Sequence, residues 1–346
     1  MLIIDTVSHR FGKNSVLQDI SFASKSGEVT CLIGHSGCGK TTLLRLLAGL
    51  LNVQSGQILL NDSPLASPSV MIPPEQRSVG MVFQEGALFP HMTVVENVAF
   101  GLRAKSAKDR AGEWLKRVGL AGFEDRYPDS LSGGQRQRVA LARAMAPEPN
   151  VLLFDEPYAN LDVPLRRALR KDARQLIRET GAVGLFVTHD PDEVLVMGDN
   201  VVVLDGGVIV ETGTPQALYE TPRSRYTAEL FGDPQILSGV IHETGVTTPL
   251  GEWDRSVLIN PEMASGEVTL IVDANQLILQ VDGSGLRISN IDRLGRLNRV
   301  TFERACSESA LAVDCSRALD SNIAVGSVVH VLPNTGVVYA EHRPFG

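Results

Sequence analysis

Cysteine is scarce: Cys31, Cys38, Cys306 and Cys315 are the only four in 346 residues. No two stand at Cys-x-x-Cys spacing, so neither a disulfide framework nor a cysteine zinc site is expected. The thiols read as buried or incidental. A surplus of basic residues is missing as well. With 32 Lys and Arg against 40 Asp and Glu, the net charge is -8, which argues against any general affinity for nucleic-acid phosphates. No apolar run reaches the roughly 18–20 residues that span a bilayer. The opening "MLIIDTVSHRFG" lacks the basic start and long apolar centre of a secretion signal. The expected location is the cytoplasm, with any service to a membrane performed from its surface.

What is present is an ordinary globular composition, 43% hydrophobic and 21% charged, in a chain long enough for two domains with separate cores. Residues 1–230 alternate apolar strand-like runs with helical stretches. "VTCLIG" (29–34), "VLLFDEP" (151–157) and "GLFVTHD" (184–190) are near-continuous apolar strands, each followed by a helical pattern. Strands of that kind belong to a parallel sheet covered on both faces. A mostly helical insert is expected from about 88 to 145, where "KDRAGEWLKRVGL" is amphipathic with period 3.6. After "TPRSRYTAELFGDPQ" (221–235) long helical patterns stop. Period-2 runs such as "VTLIVDANQLILQVDG" and "LNRVTFERA" take over, the pattern of a small antiparallel barrel or sandwich. The domains are therefore drawn as 1–237 and 238–346.

"GHSGCGKTT" (34–42) fits the phosphate-loop pattern, and it follows a strand and opens a helix as that pattern requires. Backbone N–H groups along Gly34, Ser36, Gly37, Cys38 and Gly39 can converge on phosphate oxygens, helped by the positive end of the helix. Lys40 can reach the β- and γ-phosphates, the Thr41 hydroxyl can ligate Mg²⁺, and Thr42 adds a phosphate contact. Asp155 ends an apolar strand, where its carboxylate can hold Mg²⁺ through water. Glu156, next to it, can act as general base on, or positioner of, a water in line with the γ-phosphate. His189 ends another such strand and could brace that water; alone, a histidine there is more often a surface residue. Gln84 is a further strand-end candidate for Mg²⁺ or the water. Phe11 can stack on a base or simply pack in the core; the residues leave both readings open.

"LSGGQ" (131–135) supplies a second glycine-rich turn, with Ser132, Gly133, Gly134 and Gln135 ahead of an arginine-rich helix. It is either a plain capped helix or a second anion site. Taken together, "GHSGCGKTT", Gln84, "LSGGQ", "VLLFDEP", "ANLD" and His189 resemble the ATPase subunits of ABC transporters, in order and spacing over about 230 residues. The resemblance implies a P-loop NTPase fold: a RecA-like, mostly parallel α/β sheet with a helical subdomain. It implies ATP and Mg²⁺ as ligands, with Phe11 against adenine. It also implies a second copy of the chain, whose signature turn closes over ATP held by the first. Asp162 then falls in the crossing loop, two residues after Asn160, where many relatives carry alanine.

The same resemblance gives "EGALFPHMTVVENVAFGL", with Leu88, Phe89, Met92 and Val94 exposed, as the surface that receives a coupling helix from a transmembrane permease. The C-terminal segment is similar to the OB-like (TOBE-type) accessory domain of importer ATPases. There "SVLINPEMASG" matches an Arg-Pro-Glu-containing strand, with Asn260 for the arginine. The implied protein is a peripheral import motor on the cytoplasmic face of the inner membrane, served indirectly by a periplasmic or extracellular solute-binding protein, with no nucleic-acid partner. Gln84-Glu85-Gly86 is most similar to ferric-iron importer ATPases. Polyamine, thiamine, sulfate, sugar or phosphonate import are the alternatives, and a soluble ABC ATPase is a remoter one.

Overall fold

The computed structural model describes residues 1–83, 87–102, 106–158, 161–232, 234–294, 297–303, 311–316, 322–334, 336 and 338–342. Two compact units divide the chain, Met1–Pro215 and Gln216–Gly346. The first begins with β1 (Leu2–Phe11), β2 (Asn14–Ser24), β3 (Val29–Ile33), α1 (Lys40–Ala48), β4 (Ser55–Leu60), β5 (Ser63–Ala66) and β6 (Val79–Val82). It continues through α2 (Val94–Ala99), α3 (Ala107–Arg117), α4 (Gly133–Met145), β7 (Val151–Asp155), α5 (Val163–Thr180) and β8 (Val183–Thr188). It ends with α6 (Pro191–Met197), β9 (Asn200–Asp205) and β10 (Val208–Gly213).

One sheet runs β2-β1-β4-β5 and is antiparallel throughout; the other runs β10-β9-β3-β8-β7-β6. In the second sheet β3, β6, β7, β8 and β9 are parallel and β10 is an antiparallel edge. Every residue of β3 and β8 is buried, as strands covered on both faces must be. That matches the α/β expectation from the apolar runs.

α1 is what joins the two sheets. Its Leu43, Leu44, Leu46 and Leu47 are all fully buried, in one cluster with Leu2 and Ile4 of β1 and with Leu153 and Leu185 of the parallel sheet. Each such leucine contributes about 1.5–3 kcal/mol by leaving water. The helix stops at Gly49, which takes φ 82° and caps the last carbonyls. The consequence for function is positional. The carboxyl ends of β3, β7 and β8 lie along one edge, the usual place for a ligand in an open α/β sheet.

The second unit holds the end of α7 (Pro215–Glu220), then α8 (Arg225–Phe231) and the strands β11 (Pro234–Ile241), β12 (Gly245–Thr248), β13 (Gly251–Asp254) and β14 (Gly266–Asp273). After these come β15 (Leu277–Leu294), β16 (Leu297–Phe302), β17 (Leu311–Ser316), β18 (Val328–Pro333) and β19 (Tyr339–His342). They make antiparallel sheets in the orders β13-β12-β11-β14-β19 and β17-β16-β15-β18. Its core gathers Trp253, Leu270, Phe302 and Val329, and the Trp253 indole donates to the Val331 carbonyl at 2.7 Å. One expected strand is absent. Residues 259–262 form a bend and turn, held from one side by the Arg255 guanidinium, which donates to the carbonyls of Pro261, Met263 and His242.

Candidate active site

The turn between β3 and α1 is shaped by close approach. Gly39 has φ 106°, and a Cβ there would lie 2.5 Å from the Leu17 side chain and 2.8 Å from the Val16 carbonyl. Only glycine fits against that strand. Ser36 and Gly37 are exposed, whereas Gly34, Cys38 and Lys40 are buried. The Lys40 ammonium donates to the carbonyls of Gly34 (2.6 Å) and His35 (3.0 Å), and lies 3.6 Å from Cys38 Sγ. The loop therefore holds its own lysine in place at the mouth of α1. Thr42 is half-buried in the first turn beside Thr41.

Thr41 and Asp155, 114 residues apart in sequence, meet through their side-chain oxygens at 3.5 Å. Burial first, and then the charge of Glu156, raise the Asp155 carboxyl above its ordinary range, while Arg45, Thr41 and Lys40 pull it down. A hydroxyl and a carboxylate, hard oxygen donors next to a phosphate cradle, are the set that Mg²⁺ takes when phosphate and water complete its shell. The residues fit that ion. Among the described residues no cluster of three or more His, Cys, Asp or Glu could hold a metal without phosphate.

Glu156 follows with φ 45°, a left-handed conformation that costs a non-glycine residue about 1–2 kcal/mol. Its amide donates to the Val187 carbonyl of β8 at 3.2 Å. Its carboxylate lies 3.1 Å from His189 Nδ1, with the histidine ring largely exposed. The two strand-end residues singled out in the sequence are thus brought into contact. Phe11, at the end of β1, is half exposed and edge-on to the buried His9, with ring centroids 4.8 Å apart. An exposed face is what base stacking needs; simple core packing is not what Phe11 does. Gln84 lies outside the described residues, as do Glu85, Gly86 and Asn160.

The second turn caps its helix. Ser132 Oγ accepts from the Gln135 amide and Gln135 Oε1 accepts from the Ser132 amide, a reciprocal capping box. Gly134 is buried because Leu165 sits where its Cβ would be, at 2.6 Å. Gly133 and Gln135 are half-buried and Ser132 exposed. Asp162 caps α5 by accepting from the Leu165 amide at 3.0 Å. The hydrogen bonds described for Ser132 and Gln135 are those of a capped helix end.

A separate groove of about 610 Å³ is lined by Met81, Phe83, Ala87, Phe89, Phe100 and Arg143, among others. Phe83 and Phe100 are exposed large apolar residues. Val94 does not belong with them: it is fully buried in the first turn of α2. The sequence expectations also omit Asn97, which is fully buried and donates to the carbonyls of Phe89, Met92 and Thr93. That fan of bonds pins the 89–93 segment. A polar residue inside an apolar helix face was the available signal. Four arginines at intervals of four on α5 were another, and their partners on and around α6 are equally missing from the sequence reading.

Residues 17–159 match the family model described as ABC transporter. The chain is 46% identical over 317 residues, 90% of each protein, to the "Fe(3+) ions import ATP-binding protein FbpC" of Escherichia coli O157:H7. The chain belongs to the ATP-binding subunits of ABC importers. These subunits are ATPases coupled to transport. A relative of the same name from Rhizobium etli is 46% identical over 236 residues, 67% of this chain and 66% of that one. The "Sulfate/thiosulfate import ATP-binding protein CysA" of Ralstonia nicotianae is 37% identical over 364 residues, 98% of this chain and 95% of that one. A solved "dimeric structure of a post-hydrolysis state of the ATP-binding cassette MJ0796 bound to ADP and Pi" is 28% identical. It has a TM-score of 0.54 and is covered to 99% by 62% of this chain. No helix among the described residues of this importer subunit is long and apolar enough to cross a membrane.

Proposed function

We propose that this importer subunit works as a head-to-tail pair, each copy supplying the phosphate loop of one ATP site and the signature turn of the other. The observation that carries the reading is the Glu156–His189 pair, 3.1 Å apart, at the strand edge beside Lys40, Thr41 and Asp155. Lys40 meets the β- and γ-phosphates, giving up a carbonyl partner for a phosphate oxygen. Thr41 and Asp155 would hold Mg²⁺, which neutralises charge on the phosphates. Glu156 takes a proton from the attacking water as its oxygen bonds to the γ-phosphorus and the bond to ADP breaks. His189 gives its Nδ1 hydrogen to Glu156 and so fixes the carboxylate. A neutral imidazole carries one N–H, so its other nitrogen donates to the γ-phosphate only when the ring is protonated.

The signature turn of the second copy supplies the Ser132 hydroxyl and the free amides of the α4 N-terminus to the same phosphate. One two-fold axis then generates both sites. The groove beside Phe83, Phe89 and Phe100 receives an apolar helix of a membrane permease, and the subunit works from the cytoplasmic face. Residues 238–346 form the accessory domain, of OB-like type. The cargo is iron(III), the ion in the names of the relatives from Escherichia coli and Rhizobium etli. No residue of this chain has to touch it, because selection belongs to the permease and a solute-binding protein.

Glu156→Gln tests the mechanism. Turnover should fall by roughly 10²–10⁴ if the carboxylate is the base, while sizing finds ATP-dependent dimers accumulating. Wild-type turnover in that variant would reject the role.

A further inference from the structure

α5 presents Arg166, Arg170, Arg174 and Arg178 on one stripe. Three of them hold elements together: Arg170 pairs with Glu193, both nearly fully buried, and its Nη2 also lies 3.7 Å from Asp190 Oδ2, while Arg174 and Arg178 share Asp199. Arg166 spans two loops instead. Its Nη1 lies 3.4 Å from Asp190 Oδ2, on the residue after His189. Its Nη2 donates at 3.0 Å to the carbonyl of Leu161, the residue before Asp162.

Both ends of that bridge are firmly seated. Asp190 donates its amide to Thr188 Oγ1 at 2.9 Å, and Thr188 in turn donates to Glu193 at 2.5 Å. On the other side the signature turn presses on the same short stretch. A Cβ at Gly133 would stand 3.3 Å from Leu161, and Gly134 is in van der Waals contact with Leu165 so close that no Cβ fits. Packed contacts without slack transmit displacement instead of absorbing it. A guanidinium is a planar fork with fixed donor directions, so one group can tie the motion of two backbone segments.

We propose that Arg166 is a positioning residue that links the signature turn serving one ATP to the Glu156–His189 pair acting on the other, inside a single chain. The inference rests on the head-to-tail reading above. When ATP engages the signature turn, the turn pushes on Leu161 and Leu165, and Arg166 carries the shift to Asp190, one peptide from His189. Each site then becomes competent according to the occupancy of its neighbour.

The test uses the full chain, ATP turnover against ATP concentration, and binding of a non-hydrolysed ATP analogue to the isolated chain. The wild type should give a Hill coefficient above 1. Arg166→Met keeps the stem and removes the fork. It should lower kcat roughly 2- to 30-fold and bring the Hill coefficient to 1, with analogue binding unchanged. Asp190→Asn should do the same, and the double variant should be no slower than the slower single one. Wild-type kcat and Hill coefficient in Arg166→Met, a rise in KM alone, or losses that multiply in the double variant would each overturn the link. If Arg166→Met does not fold, Arg166→Lys decides, because one ammonium cannot span both partners. A Hill coefficient of 1 with reduced kcat supports the link, and wild-type values reject it. A wild type without turnover would overturn the ATPase reading itself; a cooperative wild type beside an unchanged Arg166→Met overturns only the inference.

Discussion

The turns that open α1 and α4 look alike in sequence, each a glycine-rich stretch ahead of a helix, yet their surroundings differ. Around the first stand Lys40, two threonine hydroxyls, Asp155 and the Glu156–His189 pair. Its Gly39 is required by the strand that presses against it. Around the second there is a capping box, and a glycine required by a leucine of the same chain. One turn is surrounded by the chemistry of phosphate transfer; the other is a well-made helix end offering a hydroxyl and a few amides. In the head-to-tail pair proposed above, such a turn gains a use in catalysis when another copy brings phosphate to it.

That contrast can be broken most sharply by exchanging damage between the turns. Ser132→Arg places a bulky cation where the partner's phosphate should come. Turnover should fall by roughly 10²–10³, the scale for losing a phosphate-facing donor, while nucleotide binding by a single chain stays as it was. The lost cap costs about 1 kcal/mol, too little to unfold the unit. Lys40→Ala should do the reverse and weaken nucleotide binding itself about 10- to 100-fold, from the ~1.5–3 kcal/mol of a hydrogen bond to a charged group. Nucleotide titrations run beside turnover assays separate the two. Weakened binding in Ser132→Arg would mean that both turns serve the same chain's ATP.

A smaller effect tests why the second turn is glycine. Gly134→Ala gains about 1 kcal/mol of helix propensity but drives a methyl into Leu165, an overlap that typically costs about 1–3 kcal/mol. The net change should be destabilising in urea unfolding. Adding Leu165→Ala should give a double variant less destabilised than the sum of the two singles. Strict additivity would remove packing as the reason for this glycine.

How much of this was readable beforehand depends on the range of the interaction. The phosphate loop, Asp155, Glu156 and the strand ends are local patterns, and the parallel sheet follows from runs such as Val151–Asp155 that are apolar without alternation. The contact between Glu156 and His189 was foreseeable as a grouping but not as a distance. Nothing local says that Leu165 fills the space above Gly134, or that Val94 turns inward while Phe100 turns out. The arginine stripe on α5 was visible at its four-residue spacing. Its partners, Leu161 apart, lie on α6 and the segments flanking it, and only the fold brings those together. The left-handed backbone at Glu156 is likewise imposed from outside, by its bond to Val187 on the neighbouring strand.

The mildest prediction concerns the stability that the first turn forgoes for its chemistry. Asp155 is pushed up by burial and by Glu156 more than Arg45, Thr41 and Lys40 pull it down. A group whose pKa is raised by folding favours the native state below its unfolded pKa, and that contribution is lost as pH rises through the folded value. At neutral pH the ionised Asp155 therefore weighs against the folded state. Asp155→Asn keeps an oxygen for Thr41 and removes the charge, so its unfolding temperature at neutral pH should exceed that of the wild type. The difference should shrink as pH falls into the carboxylate range, where the wild-type side chain becomes neutral too. Mg²⁺ with nucleotide should raise the wild-type unfolding temperature by mass action and raise the variant's less. A less stable Asp155→Asn, or a gap that does not change with pH, would mean that this carboxylate is comfortable as an anion without any cation, and the contrast between the two turns would lose one of its terms.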